Sequence, residues 1–417
     1  MRDMLGRQEV VTVERARNLI FSNLSINLPP ETKLKIEESY GRILSRDILS
    51  PEELPDFSRS TVDGFAVSAA DTFGATEGMP AYLNVKYEIL MGEEPRFELK
   101  KSEVAKIPTG GMLPRGADSV VMLEHAQQID EEMIEIFKPV APAENVIQAG
   151  EDAKKNELIL ERGHGLRPQD IGALAGLGVT EVWVYEKPKV SIISTGDEVV
   201  PPDRPLRRGQ VRDINSYNLA GLILDSGGIP ARKGIFNDRY EIIKEVVEKS
   251  LRDSGMVLIT GGSSVGTKDV TAQVINETGR PGVLFHGVSL KPGKPLIGGI
   301  VNGIPVFGLP GHPAAVTVCF EIFIKPVLET ISGLKEDRFV KEKNTIKARI
   351  AKNIASSPGR EEHIAVVLEE REGEIWAIPI LGKSGLITTL IKADGTAIIP
   401  LRKLGVEEGE IVEVRLF

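Results

Sequence analysis

The period of the apolar positions changes several times along the chain, and each change predicts a different kind of structure. Apolar residues recur every three or four positions over residues 11–23, which predicts an amphipathic helix with Thr12 or its neighbour as N-cap. Short β-like runs, separated by Gly and Pro, follow at residues 82–90, 104–107, 119–123 and 133–137. This second stretch predicts a small β-rich domain.

From Lys189 onward, apolar runs typical of buried strands alternate with helical patterns. Strands are predicted at residues 190–194, 231–236, 255–260, 283–285 and 306–309, and helices at 216–224, 240–251, 269–277 and 314–331. The alternation predicts a three-layer α/β domain with a mainly parallel sheet. Ligands of such sheets bind beyond the carboxyl ends of the strands, so the loops after these strands are where a site is expected.

Alternation with a period of two returns after Glu336 and predicts strands at residues 345–350, 363–368, 375–378, 397–399 and 411–416. A small barrel or sandwich is expected there. The predicted fold class is therefore a multidomain chain with α/β and β parts.

The composition of the 417 residues argues against several classes of protein. The net charge of −9 disfavours general nucleic-acid binding, which needs a basic face. No run approaches the roughly 20 apolar residues of a membrane-spanning helix. Cys319 is the single cysteine, so no intramolecular disulfide can form, and no signal peptide is recognisable. A cytoplasmic protein is predicted.

Two loops after the predicted strands carry unusual chemistry. Residues 194–198 end in Asp197 and Glu198, which could bind a hard cation or a heterocycle, although an Asp N-cap with a solvated Glu explains them equally well. Residues 260–269 contain three glycines that let backbone N–H groups approach an anion, although a tight βα turn has the same pattern. Asp269 could position a divalent cation beside that anion.

A third loop region combines lysines with proline. Lys291 and Lys294 lie in the proline-containing segment 291–295, which predicts a cationic clamp for phosphate or a tetrahedral oxyanion, and residues 308–313 add a Gly-Pro turn. Taken alone, solvated lysines in turns are an acceptable explanation. The five histidines lack metal-site spacing, so a histidine-ligated zinc site is not expected.

The β-rich stretch contains two glycine turns, at residues 60–66 and 108–118, and the first includes Asp63. An Asp-Gly turn is usually only a turn. No nucleophile elbow, Walker loop or dinucleotide-binding fingerprint occurs in the sequence. Kinases and nicotinamide-dependent dehydrogenases are therefore disfavoured.

In order and spacing, these motifs resemble those of the molybdopterin molybdenumtransferase family, the MoeA proteins, to which the E domain of gephyrin is related. The resemblance covers nearly the whole chain and is carried by residues 63–66, 109–110, 150–152, 194–198, 261–269, 291–295 and 308–311. It implies an elongated domain in two pieces (1–50 and 140–186), a β-rich domain (51–139), a molybdopterin-binding α/β domain (187–335) and a C-terminal β-barrel (336–417).

The resemblance also implies an enzymatic activity, the last step of molybdenum cofactor synthesis. Adenylylated molybdopterin and molybdate would give the metallated cofactor and AMP, and tungstate is a close substitute for molybdate. Because family members are dimers whose sites use residues of both chains, a homodimer is expected, with the molybdopterin adenylyltransferase as a further partner. Mg²⁺ is the expected metal, and Zn²⁺ is the alternative.

The residues that the resemblance implies for the site form a catalytic set and a binding set. Asp269 and Glu198 would hold the metal and, with Asp63, Thr109 and Asp238, form the catalytic set. The implied binding positions are Gly261, Gly262, Ser264, Gly266, Lys291, Lys294, Pro310, Pro313, Arg360 and Ser384. Four of these, Lys291, Lys294, Arg360 and Ser384, would hold the oxyanion.

Two departures from the family pattern leave the choice between molybdate and tungstate open. His312 stands where relatives usually have Asn or Tyr, and Ala315 stands where they have Ser. Two other functions fit the same motifs: a molybdopterin carrier or scaffold without turnover, and the molybdopterin adenylyltransferase. The adenylyltransferase shares the α/β domain but is normally a compact single domain.

Overall fold

The structure is a computed structural model that describes residues 10–261, 265–335, 345–380, 382, 385 and 387–417, with the backbone alone for residues 265–269. The first helix, α1 (Val13–Asn23), begins at Thr12, whose hydroxyl accepts a hydrogen bond from the Arg15 N–H at 3.2 Å. This confirms the predicted N-cap. Three short strands follow, β1 (Glu31–Lys35), β2 (Ile48–Leu49) and β3 (Arg59–Ser60).

The β-rich part is a six-stranded sheet with the order β7-β4-β6-β5-β9-β8. Its strands are β4 (Gly64–Val67), β5 (Ala81–Glu88), β6 (Glu103–Ile107), β7 (Ser119–Met122), β8 (Ala126–Gln128) and β9 (Met133–Ile136). Two clusters of buried apolar side chains pack against it. The four strands predicted in this part of the sequence correspond to β5, β6, β7 and β9.

The chain then returns to its first strands. The elements here are β10 (Val146–Ile147), β11 (Leu158–Leu160), α2 (Pro168–Gly176) and β12 (Glu181–Tyr185). Strand β12 pairs antiparallel with β1, β11 with β2, and β10 with β3. These pairings join segments on both sides of the β-rich sheet, as a discontinuous domain requires.

The α/β domain contains a six-stranded sheet with the order β16-β13-β17-β21-β20-β18. Its strands and the neighbouring short strands are β13 (Lys189–Thr195), β14 (Val199–Val200), β15 (Val211–Arg212), β16 (Ile229–Phe236), β17 (Met256–Gly261), β18 (Pro281–His286), β19 (Leu290–Lys291), β20 (Ile297–Val301) and β21 (Ile304–Leu309). The helices are α3 (Asn215–Asp225), α4 (Tyr240–Asp253), α5 (Val265–Thr278), α6 (Pro313–Cys319) and α7 (Lys325–Ile331).

Helices cover both faces of this sheet, which confirms the predicted three-layer arrangement. Helices α3, α6 and α7 share one apolar core with the sheet, and α4 and α5 share a second core on the opposite face. The first four strands are parallel to one another. Strand β20 runs antiparallel to β21, and β18 runs antiparallel to β20. Ala16 and Ile20 of α1 also lie in the first core, so the N-terminal helix packs on the α/β domain.

Besides the two-residue strands β14, β15 and β19, which were not predicted, two elements of this domain differ from the sequence prediction. Strand β20 was not predicted because Gly298 and Gly299 interrupt its apolar pattern; the Phe285 ring packs where a Cβ on Gly298 would lie 2.3 Å away. The predicted helix over 314–331 is divided by a π-helical segment, Phe320–Ile324. Pro326 in the following turn has no N–H for the regular helical ladder, which explains a local change in the hydrogen-bond pattern.

The C-terminal part is a closed barrel. The sequence predicted either a small barrel or a sandwich here. Strand β24 pairs with β25, β25 with β22, β22 with β28, β28 with β26, and β26 again with β24. Its elements are β22 (Thr345–Ile350), β23 (Ile354–Ala355), β24 (Glu361–Arg371), β25 (Glu374–Pro379), α8 (Ile387–Lys392), β26 (Gly395–Ile399), β27 (Gly405–Val406) and β28 (Ile411–Leu416). Strand β19 of the α/β domain adds to β24 in parallel.

Among the described residues, no helix has the length and apolar character needed to cross a membrane.

The central strand β21 should govern the stability of the α/β domain. Phe307 is fully buried in the core that α1, α3 and α6 share. We expect Phe307→Ala to lower the free energy of unfolding of this domain by about 3–5 kcal/mol, because truncation removes buried area and leaves a cavity. Leu224→Ala, on the exposed side of α3, is the matched control and should change it little. Chemical denaturation followed by circular dichroism measures both, and equal effects would contradict this assignment of the core.

Candidate active site

Four parallel strands of the α/β domain end at one edge of the sheet. Thr195 lies beside Phe236 on one side and beside Gly261 on the other, and Thr260 lies beside Leu309. The loops that leave this edge contain the predicted site residues Glu198, Asp238, Pro310 and Pro313, and Gly261 itself ends β17. The sheet therefore brings together residues that lie more than a hundred positions apart in the sequence.

A cavity of about 340 Å³ opens at this edge. Three predicted residues line it: Glu198, Gly261 and Pro313. His312 also lines it, and so does Gly385 from the C-terminal part of the chain. A Cβ built on Gly385 would lie 3.2 Å from Cδ2 of the His312 ring, so the two segments are in contact. The cavity is thus formed by both the α/β domain and the segment that precedes α8.

Gly261 allows the close approach of β17 to β13. Its φ of +138° lies in a region that favours glycine, and a Cβ there would come within 1.8 Å of the Thr195 carbonyl oxygen. No other residue fits without moving one of the two strands. The close packing of β17 against β13 therefore explains why glycine begins the predicted anion-binding loop, and this explanation does not require a ligand.

The loop after β13 places one of its two carboxylates against the cavity. Asp197 is exposed and accepts a hydrogen bond from Nδ2 of Asn237 at 2.7 Å. Strand β14, not a helix, follows it, so the alternative of an Asp N-cap is wrong. Glu198 is half-buried and lines the cavity, as the functional interpretation of this loop requires.

Sequence reasoning missed three polar residues of the cavity lining, Arg212, Asp213 and Asn215. The Asp213 carboxylate accepts hydrogen bonds from the Ser194 hydroxyl at 2.8 Å and the Ser216 hydroxyl at 2.7 Å. Nδ2 of Asn215 donates to the Thr260 hydroxyl at 3.0 Å and to the Gly311 carbonyl at 2.9 Å. Asp213 and Asn215 precede or begin a helix, where Asp and Asn are usual capping residues, so the sequence alone does not mark them as part of a site.

The amide oxygen of Asn215 is buried and has no hydrogen-bond partner within the part of the chain that the structure describes. A buried acceptor in this condition costs about 1–3 kcal/mol in general. The side chain is 9% exposed and lines the cavity.

The residues predicted to hold an oxyanion lie around the pairing of β19 with β24. Lys291 ends β19, and its ammonium group forms a salt bridge with the buried carboxylate of Glu362. Arg360 directly precedes β24, and Lys294 is an exposed residue between β19 and β20. Since Ile297 at the start of β20 lies beside Gly308 of β21, Lys294 lies near the edge that carries the cavity.

Apart from Glu198, Gly261 and Pro313, none of the predicted residues that the structure describes in full lines this cavity, and Lys291, Lys294, Arg360 and Pro310 lie outside it. Asp63 and Thr109 are exposed in the β-rich part, where Oδ1 of Asp63 accepts hydrogen bonds from the Thr109 N–H at 2.7 Å and hydroxyl at 3.0 Å. These bonds, the backbone bond first, lower the pKa of the Asp63 carboxyl. Asp238 lies between β16 and α4 and does not line the cavity.

Several predictions fall on residues that the structure does not describe in full. Gly262, Ser264 and Ser384 lie outside the described residues. Gly266 and Asp269 lie in the first five residues of α5, of which the backbone is described. Among the described residues, no group of three or more His, Cys, Asp or Glu side chains is placed to hold a metal ion.

Cys319 is fully buried, and its burial raises the pKa of the thiol. It packs in the core of the α/β domain as a small apolar side chain. It does not line the cavity.

Gly261→Ala tests the steric constraint at the cavity. We expect the variant to lose ligand affinity and thermal stability, because its Cβ would collide with the Thr195 carbonyl. Gly221→Ala is the matched control: Gly221 lies within α3 with no atom near an added Cβ, so this change should be neutral or stabilise by roughly 0.5–1 kcal/mol. Differential scanning calorimetry compares the two, and an unchanged transition in Gly261→Ala would refute the constraint.

Thr109→Ala tests the origin of the lowered pKa of Asp63. The variant removes the hydroxyl bond but keeps the backbone bond, which is the larger cause. We expect the Asp63 pKa to rise but to stay below its ordinary value, whereas Thr109→Ser should leave it unchanged. Because both bonds favour the ionised carboxylate, the stabilisation they give is lost as the pH falls through the pKa of Asp63. A ¹³C NMR titration of the carboxyl measures this, and no rise in Thr109→Ala would contradict the assignment.

Comparison with known proteins gives matches in every part of the chain. The family model of the MoeA N-terminal region (domain I and II) matches residues 11–178. A model described as a probable molybdopterin binding domain matches residues 191–330, and that of the MoeA C-terminal region (domain IV) matches residues 347–417.

Similar proteins match over nearly the full length. A protein of Methanocaldococcus jannaschii named for molybdopterin biosynthesis is 36% identical, with 98% of both chains covered. A molybdopterin molybdenumtransferase of Nostoc is 32% identical over 97% of this chain and 93% of that protein. The crystal structure of the molybdopterin biosynthesis MoeA protein from Pyrococcus horikoshii aligns with a TM-score of 0.82 and 32% identity, covering 98% of this chain and 100% of that one. The chain belongs to the molybdopterin molybdenumtransferase (MoeA) family.

Proposed function

We propose that this protein, as an enzyme of molybdenum cofactor biosynthesis, inserts molybdenum into adenylylated molybdopterin and releases AMP. The cavity at the strand ends carries the proposal, because Glu198, Gly261 and Pro313 meet there and Gly385 reaches it from the C-terminal part. The family match over three regions of the chain supports the same reaction.

The pterin and the pyrophosphate of the substrate would occupy adjoining places. We place the pterin in the cavity and the pyrophosphate at the start of α5, which follows Gly261 after three residues. The first N–H groups of a helix have no intrahelical partner, so they can bind phosphate oxygens. Gly262, Ser264 and Gly266 would line this part of the site.

The oxyanion would bind beside the pairing of β19 with β24. Molybdate is a dianion and needs positive charge, which Lys291, Lys294 and Arg360 supply, and Ser384 would add a hydroxyl donor. The carboxylate of Glu362 orients the Lys291 ammonium but also compensates part of its charge. Lys294 and Arg360 would therefore contribute most of the attraction.

The chain's contribution to the reaction is positioning and charge stabilisation. The dithiolene of the substrate supplies the sulfur ligands of the incoming metal, so the protein needs no cysteine in the cavity. AMP would be released by hydrolysis, in which water adds to a phosphorus of the phosphoanhydride as the bond to the leaving phosphate breaks. The N-terminus of α5 and the neighbouring cations would stabilise the charge that develops on the phosphate oxygens. Molybdate and tungstate have the same charge and shape, so both remain candidates for the oxyanion.

Mg²⁺ is the metal that we propose for this edge. It is typically held by one or two carboxylates with substrate phosphate oxygens and water, and Glu198 with Asp269 would give such a set. Bound there, it would neutralise charge on the pyrophosphate. Zn²⁺ prefers nitrogen and sulfur, and His312 is the one such side chain among the described residues that line the cavity.

A homodimer would explain the place of Asp63 and Thr109. Both are exposed and lie outside the cavity of their own chain. In a dimer with shared sites, they would face the cavity of the other protomer, and Asp238 would lie at the border of the same cleft. An adenylyltransferase that supplies the substrate, and a cytoplasmic location, belong to the same proposal.

The direct test is AMP release from adenylylated molybdopterin by the purified full-length protein with Mg²⁺, with molybdate and tungstate titrated in parallel. We expect release that depends on the oxyanion, and a decrease of about a hundred-fold or more in Glu198→Gln and Asp269→Asn, since each loses a charge next to the reacting phosphates.

Glu277→Gln is the matched control. Glu277 lies near the far end of α5, where it accepts a hydrogen bond from Gln273, so AMP release should remain at the wild-type rate. Tight binding of the substrate without release under either oxyanion would contradict the proposal and favour a carrier or scaffold.

A further inference from the structure

Glu362 carries a buried carboxylate whose position is fixed from several sides. It lies in β24, which pairs with β19 on one side of this residue and with β26 on the other, so its backbone is held at both edges. The side chain is 8% exposed. Its Oε2 accepts a hydrogen bond from the Ser356 hydroxyl at 2.7 Å. The carboxylate therefore has little freedom to move.

The ammonium group of Lys291 is tied to this fixed carboxylate. Lys291 and Glu362 are partners in the parallel register of β19 and β24, so their side chains project from the same face of the sheet. Oε1 of Glu362 forms the salt bridge, while the Lys291 side chain is 49% exposed. An ammonium group has three N–H donors, so a single salt bridge leaves donors for a ligand. These donors come from a nitrogen whose place is set by the barrel.

The remaining charged groups at this border have other arrangements. Lys294 is an exposed residue, and Arg360 is half-buried directly before β24. The carboxylate of Glu361 points to the other face of β24, where it is hydrogen-bonded to Nε2 of His363 at 2.9 Å. Lys294 and Arg360 thus supply net positive charge. The pair that Lys291 forms with its carboxylate is close to neutral and supplies donors at a fixed place.

A donor at a fixed place can distinguish anions by size. Molybdate and tungstate are large tetrahedral dianions of nearly equal size, whereas sulfate has the same charge and shape but shorter bonds. Attraction by charge alone does not separate the two kinds of ion. A free lysine side chain can follow a smaller ion, but an anchored ammonium group loses contact with it. A restraint on Lys291 therefore favours the larger ions.

We propose that Glu362 is a positioning residue that, through its hold on Lys291, makes the oxyanion site select large tetrahedral oxyanions over small ones. This inference rests on the proposed function, because it takes the border of β19 and β24 to be the oxyanion site. Glu362 does not itself touch the anion. Its charge weakens the overall attraction for anions, and the fixed donor adds discrimination between them.

Isothermal titration calorimetry of the full-length protein with molybdate, tungstate and sulfate tests this role. The wild type should bind molybdate and tungstate alike and about ten-fold or more tightly than sulfate, since sulfate forfeits a hydrogen bond to a charged group. Glu362→Leu removes the carboxylate but keeps most of the side-chain volume. In this variant sulfate affinity should rise by about ten-fold and the preference should be lost, because a freed Lys291 can reach the smaller ion.

Glu374→Leu is the matched control. Glu374 lies beside Arg371, the last residue of β24, and pairs with Arg349, so the same substitution again breaks an ion pair of the barrel but at the opposite end of the strand. It should keep the preference for molybdate. In a Lys291→Met background, Glu362→Leu should have no further effect on the preference, because the carboxylate acts through that lysine.

Ser356→Ala provides a second test if Glu362→Leu does not fold, as judged by thermal melting. It removes only the hydrogen bond to Oε2, so the preference should fall by a smaller factor of about three.

The outcomes separate this role from the proposed function. Equal binding of molybdate and sulfate to the wild type, or a general loss of affinity in the variants with the preference kept, would overturn the role of Glu362 and leave an oxyanion site in place. Failure of the wild type to bind any of these anions would overturn both that role and the oxyanion site at this border. The release of AMP remains an independent measure of the proposed reaction.

Discussion

The site depends on the register of the parallel sheet, because that register decides which loops leave one edge together. Thr195 lies between Phe236 and Gly261, and the contact is so close that a single methyl group on Gly261 would collide with the Thr195 carbonyl. The loops of the α/β domain that line the cavity leave the sheet close to this point. A shift of one residue would direct these side chains to the other face of the sheet.

The cavity also joins two domains. The α/β domain gives Glu198, Gly261 and Pro313, while Gly385 touches the His312 ring from the C-terminal part. The pairing of β19 with β24 fixes Lys291 against Glu362 and brings Arg360 to the same border. The barrel therefore takes part in holding the segments that carry Lys291 and Arg360.

Much of this arrangement could be predicted from the sequence, because it follows from local pattern. Strand and helix alternation gave the three layers, and the rule that ligands bind at the carboxyl ends of strands located Glu198 and Gly261. Strand β20 was missed because its two glycines interrupt the apolar period, and the π-helical segment because a Pro after a long apolar run does not reveal how the helix adapts.

Features that depend on long-range contact were beyond sequence reasoning. Asn215 looks like a capping residue until the fold brings Thr260 and Gly311 to its amide. The ion pair of Lys291 with Glu362 needs the barrel in place, since 71 positions separate the two residues. Asp63 and Thr109 were predicted as members of the catalytic set, whereas they lie outside the cavity of their own chain.

The account claims that the substrate binds at the edge where β13, β17 and β21 end. Hydrogen–deuterium exchange of the full-length protein, with and without adenylylated molybdopterin, tests this most directly. We expect protection in peptides that cover residues 194–199, 211–216, 260–271 and 309–316, with further protection before α8. Protection confined to the β-rich part, with these four segments unchanged, would contradict the account.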